Sequence, residues 1–301
     1  MDTTTGEPSA VSTLLVSVVF VAISITMLRE LARSMQRSAR SDSVSPDHGS
    51  PGTSSPWSGG SVLMLFAFFF LGQLAIMQLA VTPSLDPDGA DNLELSHPAT
   101  FVGLSLLNLI LSLLAMQLYR LRTMQQLESG ESRVPSFWLE SGGNAFRAIR
   151  LGVVALLCWI PGHIGLAGIW DLTLRFLEIE VQVQSSVQLT LESIRQSDWT
   201  LLIPLCFYGA VMAPIGEEVL FRGVLFRWLK GHWGFIGAVV ASSIFFALIH
   251  DSIASWLPVA ALGGVCAWLY HRSGQLLASV VLHSAFNSSM FLLMSLFKEE
   301  I

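Results

Sequence analysis

Charge is the scarcest commodity in this sequence. Only 13% of its 301 residues are Asp, Glu, Lys or Arg, while 52% are hydrophobic and the mean hydropathy is +0.60. A soluble domain carries about 25% charged residues, so the shortage points to a chain that lives in lipid. Cationic surface is lacking too. The formal net charge is −6 and no basic patch has interleaved aromatics, which argues against nucleic acid as a partner. Three cysteines, Cys158, Cys206 and Cys266, stand apart in apolar stretches without CxxC spacing and read as buried, unpaired thiols. The opening MDTTTGEPSA has none of the Lys or Arg that begins a cleavable signal, so the first apolar run reads as a retained span. There is no repeat of 20–50 residues and no HExxH, so the zincin arrangement is absent.

What the sequence has in plenty is apolar length. Crossing about 30 Å of hydrocarbon takes roughly 20 apolar residues. Suitable runs are Val11–Leu28, Ser61–Val81, Thr100–Tyr119, Ile149–Trp170, a run from about Thr200 into residues 216–223, Gly234–Ile249, Ala254–Tyr270 and Leu276–Leu296. The expected fold is therefore all-α, a polytopic membrane helical bundle of about eight transmembrane helices. Arg29, Arg33, Arg37 and Arg40 follow the first run, whereas Asp86, Asp88, Asp91 and Glu94 lie between the second and third. Arg120, Arg122, Arg133, Arg147 and Arg150 follow the third, Arg222, Arg227 and Lys230 the fifth, and Arg272 the seventh. The bias of Lys and Arg toward the cytoplasm places both termini outside and these basic loops inside. Trp57, Trp138, Trp170 and Trp199 fall near span ends, as interfacial Trp should.

Composition divides the chain further. Residues 1–40 read as an accessory N-terminal transmembrane helix, loosely joined through a Ser-, Pro- and Gly-rich linker at 41–60. Residues 61–199 hold further membrane helices and an amphipathic outer segment at Leu172–Trp199, with an extended stretch expected at Ile179–Gln184. Residues 200–296 form a core that carries nearly all the misplaced polarity.

Ionisable groups at membrane depth cost several kcal/mol unless paired or solvated, so each is a functional hypothesis. In GEEVLFRG, Glu218 and Arg222 are spaced i, i+4 and can pair, while Glu217 points about 100° away and stays available for chemistry. The bland reading is a helix end emerging into cytoplasmic water. In SIFFALIH, Phe246 and His250 share a face, and Asp251 could hold the ring. A histidine at a span's end is often merely interfacial. In VVLHSAFNSS, His283 and Asn287 repeat the spacing well inside an apolar run, where interhelical hydrogen bonding is the bland alternative. Together these residues could perform hydrolysis. Glu217 and His250 could activate water, and His283 and Asn287 could hold the developing oxyanion. His and carboxylate ligands also suit Zn²⁺, so a divalent metal at Glu217, His250 and His283 stays open beside a metal-free mechanism.

The ordered set EExxxR, FxxxH and HxxxN resembles the CAAX protease and bacteriocin-processing family, the CPBP or Abi group, which includes the Ras-converting type of CAAX prenyl endopeptidase. Here it stands as Glu217-Glu218…Arg222 followed by Gly223, Phe246…His250, and His283…Asn287, within roughly residues 200–296. The resemblance implies an intramembrane (metallo)endopeptidase in which Glu217 and His250 activate water and His283 and Asn287 stabilise the oxyanion. Glu218, Arg222 and Phe246 would shape and charge-balance the site, and the site would open toward the cytoplasm. The implied partners are a peptide or membrane-protein substrate and the lipid bilayer, in a bacterial plasma membrane. The competing readings are a non-catalytic immunity or scaffold protein of the same fold, and a transporter with a polar pathway. The transporter lacks support, because no paired broken helices occur in two repeated halves. His48, His97, His163, His232 and His271 receive no role, although His163 beside Pro161 and Gly162 could line a cavity.

Overall fold

In hydrocarbon each backbone N–H and C=O must bond within its own segment, so long apolar runs become helices. A computed structural model describes residues 9–41, 58–85, 91–95, 98–127, 144–181, 185–250 and 252–297. Its elements are α1 (Ala10–Ser41), α2 (Gly59–Ala80), β1 (Val81–Leu85), β2 (Asp91–Leu95), α3 (Pro98–Leu127), α4 (Ala145–Phe176) and α5 (Ser185–Gln196). There follow α6 (Trp199–Phe207), α7 (Ala213–Glu218), α8 (Arg227–Leu248), α9 (Trp256–Ser273) and α10 (Leu276–Leu296). Among the described residues six continuous helical stretches are long and apolar enough to cross a membrane, and α3 adds a shorter apolar stretch at Phe101–Leu114. The stretch Trp199–Leu248 is broken at Gly234, whose φ of 68° and ψ of −174° only glycine adopts freely. It thus supplies two spans, and a polytopic helical membrane bundle results.

One local addition qualifies the all-α expectation. Between α2 and α3 the backbone forms an antiparallel hairpin, with Val81 opposite Leu95 and Leu85 opposite Asp91. The amphipathic outer segment is split: Leu172–Phe176 close α4, and Ser185–Gln196 form α5, where Leu189 packs in one cluster with Ile76, Phe101 and Leu205. Residues 179–181 are non-helical, and 182–184 of the expected extended stretch lie outside the described residues, as does most of the linker.

The first span docks closely on α4. Gly162, Gly165 and Gly168 of α4 leave no room for a methyl group. A Cβ at Gly162 would lie 2.5 Å from Ser24 Oγ, and one at Gly165 would overlap the Ser17 carbonyl and stand 2.9 Å from Val21. Small residues of this kind let membrane helices approach closely, and Ser24 Oγ donates to the Cys158 carbonyl at 2.7 Å across the seam. Replacing Gly165 by Leu is expected to cost about 1–3 kcal/mol through overpacking. The check is a lowered unfolding midpoint in detergent, with the polar residues of the core untouched.

Helix pairing gives the bundle two distinct ends. At one end Trp170 Nε1, near the close of α4, donates to the Ile253 carbonyl just before α9 (2.7 Å). The start of α1 lies there too, with Thr13 3.9 Å from the position of a Cβ on Gly168. At the other end Gly59, opening α2, meets the Trp228 ring, and the His271 ring lies 4.4 Å from that of Phe235.

Candidate active site

The long inward helix is built irregularly where its charges sit. Asp198 caps its start, its Oδ1 accepting from the N–H groups of Thr200 (3.0 Å) and Leu201 (3.3 Å). The helix widens into π turns at Tyr208–Met212 and again at Val219–Phe226, and the short α7 between them carries both glutamates. Such widened turns recur at functional sites. Pro204 and Pro214 lack the N–H that a regular ladder would use. Gly216 brings the neighbouring helices onto this turn, since a Cβ there would lie 2.5 Å from the Phe69 ring of α2 and 3.2 Å from Leu109 of α3.

Glu218 and Arg222 are buried, at 0% and 1% exposure, and paired at 2.8 Å. The same carboxylate oxygen accepts a hydrogen bond from His283 Nδ1 at 3.0 Å. Arg222 Nη2 donates to the Gly263 carbonyl at 2.8 Å, and the guanidinium carbon lies 4.7 Å from the Phe246 ring centroid. These partners hold a charge that hydrocarbon would otherwise reject. Glu218 Oε2 and Arg222 Nε are buried without a hydrogen-bond partner.

Glu217 is differently placed. Its side chain is 15% exposed and its Oε2 lies 3.8 Å from His283 Nε2. The two faces of one imidazole are thus addressed by two carboxylates, Nδ1 by Glu218 and Nε2 by Glu217. His250 donates Nδ1–H to the Phe246 carbonyl at 2.8 Å, which leaves Nε2 as a bare acceptor. Trp256 Nε1 holds the carbonyl of His250 at 3.2 Å. Asp251, expected to steady this ring, lies outside the described residues. The Phe246 ring joins the two histidines, its centroid 5.2 Å from His250 and 5.5 Å from His283. Asn287 Nδ2 donates one hydrogen to the Gly209 carbonyl, in the first widened turn, at 2.7 Å and retains another.

The sequence motifs are therefore brought to one region, with Phe246 as the shared floor. Sequence reading missed the backbone acceptors Gly209 and Gly263. The Gly263-Gly264 pair in α9 was a signal of sorts, because a Cβ at Gly263 would stand 3.3 Å from Arg222 Nη2. Tyr208 was missed as well. It bonds Gln73 of α2 at 3.2 Å and neighbours Glu217.

Among the described residues no group of three or more His, Cys, Asp and Glu is placed to hold a metal ion. No step below is routed through a metal.

Residues 199–289 match the family model described as type II CAAX prenyl endopeptidase Rce1-like, so the resemblance read from the motifs is shown over that segment. The chain is 28% identical to the UPF0177 protein YxdF of Lactococcus lactis over 134 residues, covering 43% of this chain and 72% of that protein. It is 29% identical over 80 residues to the "Putative membrane peptidase YdiL" of Bacillus subtilis, covering 27% of this chain and only 33% of that protein. No solved structure matches.

Proposed function

We propose that this chain is an intramembrane endopeptidase that hydrolyses a peptide bond in a membrane-associated peptide or membrane-protein segment. The observation that carries the reading is the division of labour between adjacent glutamates. Glu218 is consumed by Arg222 and His283, while Glu217 stays partly exposed beside the other face of His283. A scaffold would gain nothing from keeping a second carboxylate uncompensated at such depth. The match of 199–289 to an endopeptidase family model supports the same chemistry.

In this mechanism Glu217 takes a proton from a water molecule whose oxygen attacks the carbonyl carbon of the substrate. His250 Nε2 is the second acceptor that orients that water. As the carbonyl oxygen becomes an oxyanion it accepts the spare Nδ2–H of Asn287. It also accepts Nε2–H of His283 when that ring carries both protons between its two carboxylates. Collapse breaks the C–N bond, and the proton held by Glu217 passes to the departing amine. Glu218, Arg222 and Phe246 touch no substrate in this scheme; they fix His283 and His250.

Purified protein in detergent is expected to cleave an internally quenched peptide, and His250→Ala to lower kcat by about 100-fold or more. Equal rates for the two proteins would remove His250 from the mechanism. The absence of cleavage across a varied peptide library would favour the scaffold reading.

A further inference from the structure

A peptide bond within hydrocarbon can be cut only where the chain around it is extended. Its flanking N–H and C=O groups then lack the helical ladder that satisfied them, and each costs free energy unless it finds a new partner. A peptidase at this depth must therefore offer those groups a donor and an acceptor. His283 and Asn287 serve the scissile carbonyl alone.

A further donor and acceptor stand on the wall beside Glu217. Gln73 is the one amide side chain of the apolar stretch Gly59–Ile76. It follows Phe69 by one turn on the same face of α2, and the Phe69 ring is what presses on Gly216, next to Glu217. Gln73 Oε1 accepts two hydroxyl groups, from Tyr208 at 3.2 Å and from Ser105 of α3 at 3.3 Å. Those two bonds fix how the amide lies. Its Nε2 has no acceptor among the described residues, and it is not closed off from its surroundings. Asn108 of α3 shows what plain interhelical bonding looks like in this seam, since its Nδ2 donates to the Phe69 carbonyl at 3.1 Å. Gln73 differs because its donor end is left over.

Tyr208 supplies the acceptor. Its hydrogen is spent on Gln73, so its oxygen keeps lone pairs to offer. The ring is steadied edge-on against Phe101 at 5.0 Å, with Glu217 within electrostatic reach. The next residue, Gly209, holds Asn287 at 2.7 Å, so the phenol adjoins the oxyanion donor through one peptide unit.

We propose that Gln73 and Tyr208 form a substrate-binding subsite that pairs with the main chain of an extended peptide beside the scissile bond. Gln73 Nε2 donates to a backbone carbonyl, and the Tyr208 oxygen accepts the N–H of the same residue, as a neighbouring strand would. α2 lies outside residues 199–289, so a helix beyond the family-matched segment completes the site. Pairing through the main chain selects segments that are extended or easily unwound. A regular helix, whose backbone groups are already paired, is refused until it opens. The subsite rests on the peptidase reading, but binding and cleavage can be read separately.

The probes are an internally quenched apolar peptide and a fluorescein-labelled copy of it, added to the full-length protein in detergent. Gln73→Leu and Tyr208→Phe are each expected to raise KM about 5–10-fold, the worth of one hydrogen bond, while kcat changes less than about twofold. In a Glu217→Gln background the Kd of the labelled copy, followed by anisotropy, rises by the same factor. Peptides with one flanking amide at a time replaced by an ester lose a single N–H. At one position the ester should weaken binding to the parent and make no difference to Tyr208→Phe, whose ring still packs on Phe101. Unchanged KM and Kd in both variants, or a fall in kcat at constant KM, overturns the subsite. If the labelled peptide binds with the expected dependence and the parent cleaves nothing, the peptidase reading fails while the subsite stands. A peptide that is neither bound nor cleaved sinks both.

Discussion

Replacing Glu217 by Gln is expected to slow peptide cleavage by about 10²–10⁴-fold, the usual contribution of a positioned general base, without harming the fold. The substitution keeps size and shape, and it removes a charge that no arginine or lysine pairs with among the described residues. Glu217 is 15% exposed and its closest ionisable partner is His283 Nε2 at 3.8 Å, a distance too long for a strong bond. The unfolding midpoint in detergent is therefore expected to hold or rise slightly, while kcat collapses and KM stays near that of the parent. Loss of base function lowers the chemical step and leaves substrate contacts in place. A fully active Glu217→Gln protein would move the base elsewhere, and Glu218 could not replace it, because both its ion pair and its histidine contact lie in a closed pocket. The same protein is a useful trap for substrates, since it should bind without turning over.

Much of this was legible before any coordinates. The i, i+4 spacing of Glu218 and Arg222 announced an ion pair and the pair is there; the apolar runs announced the helices, one of them starting at Gly234, where the structure breaks the chain between two spans. Those features are local, and local geometry is what spacing encodes. The widened turns around α7 were not legible, because they arise where Pro204 and Pro214 interrupt the ladder and where Phe69 and Leu109 press on Gly216 from distant helices. Nor was the committed hydrogen bond of Asn287, whose acceptor Gly209 is remote in sequence. The seam of Gly162, Gly165 and Gly168 was visible as letters, but its partner α1 could be assigned only by packing. Arg222 reads as a loop cation in the sequence, yet it is buried at 1% exposure and belongs to no loop.

Arg222→Met is expected to be the most damaging single substitution to stability, at about 3–5 kcal/mol, because it strands the Glu218 carboxylate in a closed apolar pocket. Glu218 would then keep the His283 Nδ1 hydrogen bond and lose its compensating cation. Low yield and a sharply reduced unfolding midpoint in detergent are the readouts. The double variant Glu218→Leu with Arg222→Met removes both charges and should regain most of that loss, since a packed apolar pair of similar volume is often as stable as a buried ion pair. Its activity should not return. His283 would lose the acceptor that holds its Nδ1–H and so the orientation of Nε2 toward Glu217 and the oxyanion. A fold restored without turnover separates the two roles of this pair, which a single substitution confounds. A double variant that cleaves at the parental rate would show that His283 needs no anchoring carboxylate, and the assignment of Glu218 as its positioning residue would fall.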